Sequence, residues 1–235
     1  GGPLDAIDDK TPIAFEEANA MVGSVRDVAG VNGTYGLRYT LADIMGSGVK
    51  LDTMYVWQVG TGDTATEKGT SSVSNGNEDG YDIVLSGAVP FIDGLDFNAG
   101  YSIQKKSAVE STNTNNNDIE EGTFNVNYAI GSVKVGAQRS IVGLPAASGT
   151  KDTRYTTDYL GISYAVSDNL SISYNEIESE KNVGGSTLDQ DLDSLSLSYT
   201  AGGMTIGVAD QSADNASYTS ARNQSAKTVQ MTIAF

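Results

Sequence analysis

From Gly33 onward the chain alternates apolar and polar residues with period two, the pattern of a β-strand that keeps one greasy and one hydrophilic face. About eleven such segments follow one another, each near the ~10 residues that a tilted membrane strand requires. In residues 95–104, Leu95, Phe97, Ala99, Tyr101 and Ile103 alternate with Asp96, Asn98, Gly100, Ser102 and Gln104. Phe124, Val126, Tyr128 and Ile130 alternate with Thr123, Asn125, Asn127 and Ala129. Leu160, Ile162, Tyr164 and Val166 repeat the pattern, as do Leu170, Ile172 and Tyr174, and Leu195, Leu197 and Tyr199. The last segment, residues 227–235, puts Val229, Met231, Ile233 and Phe235 on one face and Thr228, Gln230, Thr232 and Ala234 on the other.

The connections alternate too. Short turns are expected near 43–48, 90–94, 131–132, 167–169 and 201–203. Long polar loops are expected near 61–79, 105–122, 143–156, 178–191 and 212–226. Short turns at one end and long loops at the other are the habit of antiparallel transmembrane barrels. A soluble β-sandwich also alternates, with its apolar face turned inward on a second sheet. Three features favour the barrel. The polar face is very polar and small, built mainly from Ser, Asn, Thr, Gly and Gln. The long loops share one end. Tyr35, Tyr39, Tyr81, Tyr101, Tyr128, Tyr164, Tyr174 and Tyr199 tend toward strand ends, as in an interfacial aromatic girdle. The predicted fold class is therefore all-β, an antiparallel up-and-down transmembrane β-barrel, with residues 1–235 as one domain. In it, 1–30 form a non-alternating segment and 33–235 the strands.

Composition narrows the function. Fourteen basic against 30 acidic residues give a net charge of −16, which argues against nucleic acid as a partner, because phosphate binding needs cationic surface. Cysteine and histidine are both absent. Without them there is no disulfide, no thiolate metal site and no Ser-His or Cys-His nucleophile, so the chain reads as no enzyme. No run approaches ~20 apolar residues, so no transmembrane helix is expected, a signal that barrel strands do not give anyway. Gly1-Gly2-Pro3 is not a signal peptide and reads as the interior of a longer chain.

Two stretches carry a family resemblance. One is the C-terminus, with Val229, Met231, Ile233 and a terminal Phe235. The other is the acidic, partly helical stretch from Gly1 to Val28, notably residues 14–21. With the strand pattern, they make the chain resemble a general porin of the Gram-negative outer membrane, of the alphaproteobacterial type. The resemblance covers the chain by pattern, with no long motif matched residue by residue. It implies a sixteen-stranded barrel, trimeric by family habit, whose third long loop follows the fifth strand and folds inward to narrow the channel. Eleven strands remain after that loop, so the first five are expected outside this sequence. It also implies that Val229, Met231, Ile233 and Phe235 are the signal read by the insertion machinery.

Under that reading Asp5, Asp8, Asp9, Glu16, Glu17 and Asp27 are candidates for the acidic side of the constriction, where charge sets selectivity. Spacing puts Asp5, Asp8 and Asp9 on one helical face. Each can equally be a solvated loop charge. The opposing basic wall belongs, by resemblance, largely to the early strands. Here alternation turns Arg38, Lys50 and Lys134 inward, since a charge facing lipid at mid-membrane costs ~2–4 kcal/mol. Arg139 falls on the lipid face near its strand's outer end, where a long side chain snorkels to water. The acidic excess predicts mild cation selectivity. No cofactor is expected, save weak calcium candidates at Asp189, Asp191 and Asp193, which lack the twelve-residue loop of a strong motif. The expected partners are the lipid bilayer, lipopolysaccharide, small hydrophilic solutes and two further copies of the chain. The expected location is the bacterial outer membrane. The alternatives are a non-channel outer-membrane barrel, adhesive or enzymatic, and a soluble carbohydrate-binding β-sandwich.

Overall fold

The computed structural model describes residues 2–19, 22–31, 36–57, 77–106, 118–145 and 151–233. Among them are eleven strands: β1 (Gly36–Leu41), β2 (Val49–Val56), β3 (Asn77–Ala88), β4 (Leu95–Lys106), β5 (Ile119–Ile130), β6 (Val133–Leu144), β7 (Thr153–Ser167), β8 (Leu170–Val183), β9 (Ser186–Ala201), β10 (Met204–Asp214) and β11 (Gln224–Ile233). They form one sheet in sequence order, each antiparallel to the next. The fold is all-β and up-and-down, and the sheet is open, with β1 and β11 at its edges. None of the described helices is long and apolar enough to cross a membrane.

The two faces are the reverse of a soluble sandwich. Phe124 is 53% exposed while the adjacent Asn125 is fully buried. Leu195 is 59% exposed between buried Ser194 and Ser196, and Leu160, Ile162 and Tyr164 stand on the same exposed face. Buried on the other face are Asp82, Ser102, Gln104, Thr123, Asn127, Gln138, Ser140, Ser173 and Asn175. A sheet with this pattern has its apolar side turned to a non-aqueous medium and its polar side turned in. Tyr128, Tyr164 and Tyr199 lie near the short-turn ends of β5, β7 and β9. Tyr55, Trp57 and Tyr81 lie toward the long-loop ends of β2 and β3, with the Tyr55 and Trp57 rings edge to face at 5.7 Å. Tyr35 lies outside the described residues.

What covers the polar face is the segment 2–31. It carries two short 3₁₀ turns, Asp5–Ile7 and Glu16–Asn19, in place of the longer helix that residues 14–21 suggest. Its apolar residues form small clusters with the sheet: Leu4, Ile7 and Val28 with Val84 and Val142; Val22 with Tyr159, Ile177, Leu192, Ala213 and Ala216; and Val31 with Val56. No central core unites them, because the sheet has no second apolar layer to meet.

The five short turns fall where the sequence puts them. One long loop does not. Residues 178–191, expected as a loop, are the upper halves of β8 and β9, joined through Gly184 and Gly185 in left-handed backbone. The ladder runs without a break from Leu170↔Tyr199 to Val183↔Ser186. The greasy alternation stops at Tyr174 because the outward positions above it are Glu176, Glu178 and Glu180, facing Asp193, Asp191 and Asp189. The stretch 212–226 is likewise shorter as a loop than expected, since β10 reaches Asp214 and β11 starts at Gln224. Its residues 216–218 fold back inward, and Tyr218 is buried.

Candidate channel lumen

The inner face seats segment 2–31 through missing side chains and polar hooks. Glycines on four strands make the seats. A Cβ on Gly100 of β4 would lie 2.4 Å from the Leu4 side chain and 2.8 Å from that of Ile7. On Gly136 of β6 it would lie 2.5 Å from the Pro12 ring, on Gly161 of β7 2.9 Å from Thr11, and on Gly207 of β10 2.3 Å from the Phe15 ring. Only glycine leaves room for these contacts. The hooks are wall side chains that bond the segment's backbone. Gln138 accepts from the Lys10 N–H at 2.8 Å and donates to the Ile7 carbonyl at 3.0 Å. Asn175 donates to the Pro12 carbonyl at 3.0 Å, Ser173 accepts from the Ala14 N–H at 2.9 Å, and Gln224 accepts from the Gly23 N–H at 3.1 Å. Ser194 adds a bond to a side chain, donating to the Asn19 amide oxygen at 2.6 Å.

Both roots of the segment converge on β3, β4 and β5. The Asp82 carboxylate accepts from the Val31 N–H at 2.8 Å and the Leu4 N–H at 3.3 Å. Glu121 accepts from Ala29 at 2.9 Å and Gly30 at 2.6 Å, and Gln104 donates to the Gly30 carbonyl at 2.8 Å.

Beneath the segment, toward the short-turn end, lies a cavity of about 810 Å³. Asp8, Asp9, Lys10 and Phe15 line it from the segment. Lys134, Ser163, Ser198, Thr205, Gln230 and Thr232 line it from the wall. It is a polar, open-ended space with hydroxyl, amide and charged walls.

The expected acidic residues take different places. Asp5 is exposed, whereas Asp8, Asp9 and Asp27 are half-buried. Asp9 accepts from the Thr11 hydroxyl at 3.0 Å and the Asn19 amide at 3.5 Å, which braces the segment internally. Burial raises the Asp8 carboxyl above its usual range, helped by Asp5 and Asp9. Burial pushes Asp27 up to about 7, and the nearby Asp9 and Asp8 add to the effect. Asp27 accepts a hydrogen bond from the Tyr159 hydroxyl on β7. The backbone of Glu16 and Glu17 lies in the second 3₁₀ turn; their side chains are outside what is described.

The three expected basic residues face inward. Arg38 makes a two-pronged bond to Asp52 at 2.9 and 2.7 Å, and Lys50 reaches the same carboxylate at 3.0 Å. Lys134 lies 3.6 Å from Asp96. Arg139 faces outward and is paired with Asp158 through two bonds of 2.6 Å. Val229, Met231 and Ile233 lie exposed on one face of β11, and Phe235 lies outside the described residues. Asp189, Asp191 and Asp193 alternate along the outward face of β9 rather than lying in a loop. An extended strand spreads such carboxylates apart, and among the described residues no group of three or more is placed to hold a metal ion.

Sequence reading missed Asp82, Glu121, Gln104, Gln138 and the seat glycines, along with exposed Lys10 and Arg26. Strand parity puts the wall residues on the polar face, so that much was available. What they bind was not, because their partners are backbone groups 51 to 131 positions away.

No protein-family model matches the sequence, and no curated protein does. Solved structures do. OmpF of Salmonella typhi, in complex with daunomycin, superposes with a TM-score of 0.58 at 16% identity, over 88% of this chain and 62% of that one. OmpT, an outer-membrane protein of Vibrio cholerae, gives a TM-score of 0.55 at 13% identity, over 83% of this chain and 60% of that one. Its variant lacking loop L8 gives 0.55 at 14%, over 76% and 57%. The chain thus spans about six tenths of these proteins. At such identity the likeness shows the fold alone: that of outer-membrane β-barrels.

Proposed function

We propose that this chain forms most of the wall of a water-filled outer-membrane channel for passive diffusion of small hydrophilic solutes and ions. In this reading segment 1–30 is the inward-folded constriction. One observation carries the proposal: exposed Phe124, Leu160, Leu195 and Val229 on one face of the sheet against buried Asn125, Ser173, Asn175 and Ser196 on the other. A bilayer satisfies the first face and water the second. The free edges of β1 and β11 supply the next step. Unpaired strand edges are not tolerated in hydrocarbon, so further strands close the ring, five if the barrel is sixteen-stranded. The apolar belt meets lipid, and the acidic outer rim meets the polar headgroup layer with its lipopolysaccharide. We extend the trimeric state of the resembled family to this protein, as a homotrimer.

Passive passage, not catalysis, fits the lining. The cavity walls offer Ser, Thr and Gln with charges already paired or solvated, and the sequence has neither His nor Cys. Selectivity is expected to be mild and toward cations, because Asp8 and Asp9 line the cavity from the segment and an acidic passage concentrates counterions. The test is reconstitution of the full protein into planar bilayers and liposomes. Discrete ohmic conductance steps are expected, with liposome swelling that falls as the sugar used grows larger. Insertion proven by protection from external protease, without conductance or swelling, would overturn the reading.

A further inference from the structure

We propose that Asp82 and Glu121, with Gln104 between them, are positioning residues: a single clamp that grips both roots of the inserted segment and so sets the width of the passage. The inference rests on the channel reading for its consequence, but not for its geometry.

The three side chains stand at inward positions of three successive strands, β3, β4 and β5. Asp82 is 1% exposed and Glu121 2%. Between them they take four backbone N–H groups, from Leu4, Ala29, Gly30 and Val31. Asp82 alone spans the two limbs, one oxygen on residue 4 and the other on residue 31. The backbone is fitted to the carboxylates. A Cβ on Gly2 would come within 2.2 Å of Asp82 Oδ2, and one on Gly30 within 2.5 Å. Gly30 also sits at φ +66°, where other residues are strained.

Elsewhere the described wall holds the segment's backbone by neutral groups such as Gln138, Ser173 and Asn175. Ionised acceptors bind N–H donors about twice as strongly as neutral ones. A full negative charge at each root therefore makes this the firmest attachment, and the long span between the roots leans on it. An amide at Asp82 keeps one acceptor oxygen but points a donor at the N–H of Leu4 or Val31, since each oxygen holds one of them, and that end of the clamp then repels what it held. At Glu121 one oxygen holds both N–H groups, so an amide keeps the acceptor but loses the charge, and that end holds more weakly.

The experiment uses the full protein in lipid. Amide hydrogen exchange and single-channel recording are run on Asp82→Asn, Glu121→Gln and the double variant. Glu121→Asp keeps the charge, and Asp210→Asn, on the outer face, serves as control. Heat-modifiable gel mobility shows which variants are folded, and Gly30→Ala, which forces the clamp apart from the segment's side, stands in for any that are not. The expected result is exchange at Leu4 and at residues 29–31 raised roughly tenfold or more, the loss of about one charge-assisted bond. Strands β6 to β11 should stay protected. The channel should flicker between conductance levels, and Glu121→Asp should restore most of the protection. Unchanged exchange at both roots in the folded double variant, or in Gly30→Ala, would overturn the clamp. Altered root exchange in a protein with no conductance at all would leave the clamp standing and overturn the channel.

Discussion

Asp27 shows how one side chain can tie an inserted segment to a wall and yet make that tie depend on pH. Its carboxyl is held near 7 instead of 3.8, first by burial and then by Asp9 and Asp8, with Arg26 opposing. A raised carboxyl pKa means the folded state prefers the protonated form. Between pH about 4 and about 7 the released segment binds fewer protons than the docked one, so docking weakens as pH rises through that window and is level above it. Amide exchange of residues 22–31, corrected for its intrinsic pH dependence, should therefore be slower at pH 5 than at pH 8. In Asp27→Asn, which still accepts from the Tyr159 hydroxyl, most of that difference should vanish. A small slope in the same direction should remain from Asp8, whose carboxyl burial also raises. An unchanged slope in the variant would place the titrating group elsewhere. Nothing in the local sequence Arg26-Asp27-Val28 announces this behaviour, because it comes from burial against the wall and from Asp9 and Asp8 on the opposite limb of the same segment.

At the scale of the element, β8 and β9 show both what the sequence makes legible and where legibility stops. Below Tyr174 and Leu195 the outward positions are apolar and the inward ones polar, so alternation gives strand, face and register together. Above them both faces change. The outward positions become Glu176, Glu178, Glu180, Asp193, Asp191 and Asp189, while the inward Ile177 and Leu192 are buried under the segment. The strand has left the apolar layer, so outside is now water and inside is covered protein. The pattern inverts, and a window that expects greasy residues outward reads loop. The same structure sets carboxylates directly across from one another. Glu178 faces Asp158 on one side and Asp191 on the other. Like charges opposed across strands destabilise a sheet, each pair by roughly 0.2–1 kcal/mol. Glu178→Gln should therefore raise the stability of the folded barrel by up to about 1 kcal/mol at low ionic strength. Urea unfolding in lipid vesicles measures it. The gain should shrink in ~1 M salt, where the screening length falls to about 3 Å. A loss of stability would mean that the rim charges are held by something other than solvent.

At the scale of the whole molecule, the formal charge of −16 describes the surface more than the passage. Many of the carboxylates lie on the outer face of the upper strands: Glu176, Glu178 and Glu180 on β8, Asp189, Asp191 and Asp193 on β9, Asp210 on β10. An ion inside the ring is separated from them by the wall and by more than a screening length of ~8–10 Å at ordinary salt. Inside, Asp52 is answered by Arg38 and Lys50 and Asp96 by Lys134, and Asp82 and Glu121 by backbone N–H groups, while Asp8 and Asp9 line the cavity. The free face of the segment presents Lys10 and Arg26 together with Asp5. Composition alone suggests a strongly anionic tube, but the arrangement suggests a mildly acidic one with an acidic rim. The reversal potential under a tenfold KCl gradient separates the two. It should favour K⁺ but fall well short of the ~59 mV limit for a perfectly selective monovalent pathway. Replacing Glu178 and Asp191 by amides should leave it almost unchanged, since neither faces the lumen. Lys10→Gln with Arg26→Gln should move it further toward K⁺, because two cations then leave the exposed face of the segment while the acids remain. If the outer pair shifts the potential and the inner pair does not, the sheet is facing the other way, and both the lumen and the clamp proposed within it go with that orientation.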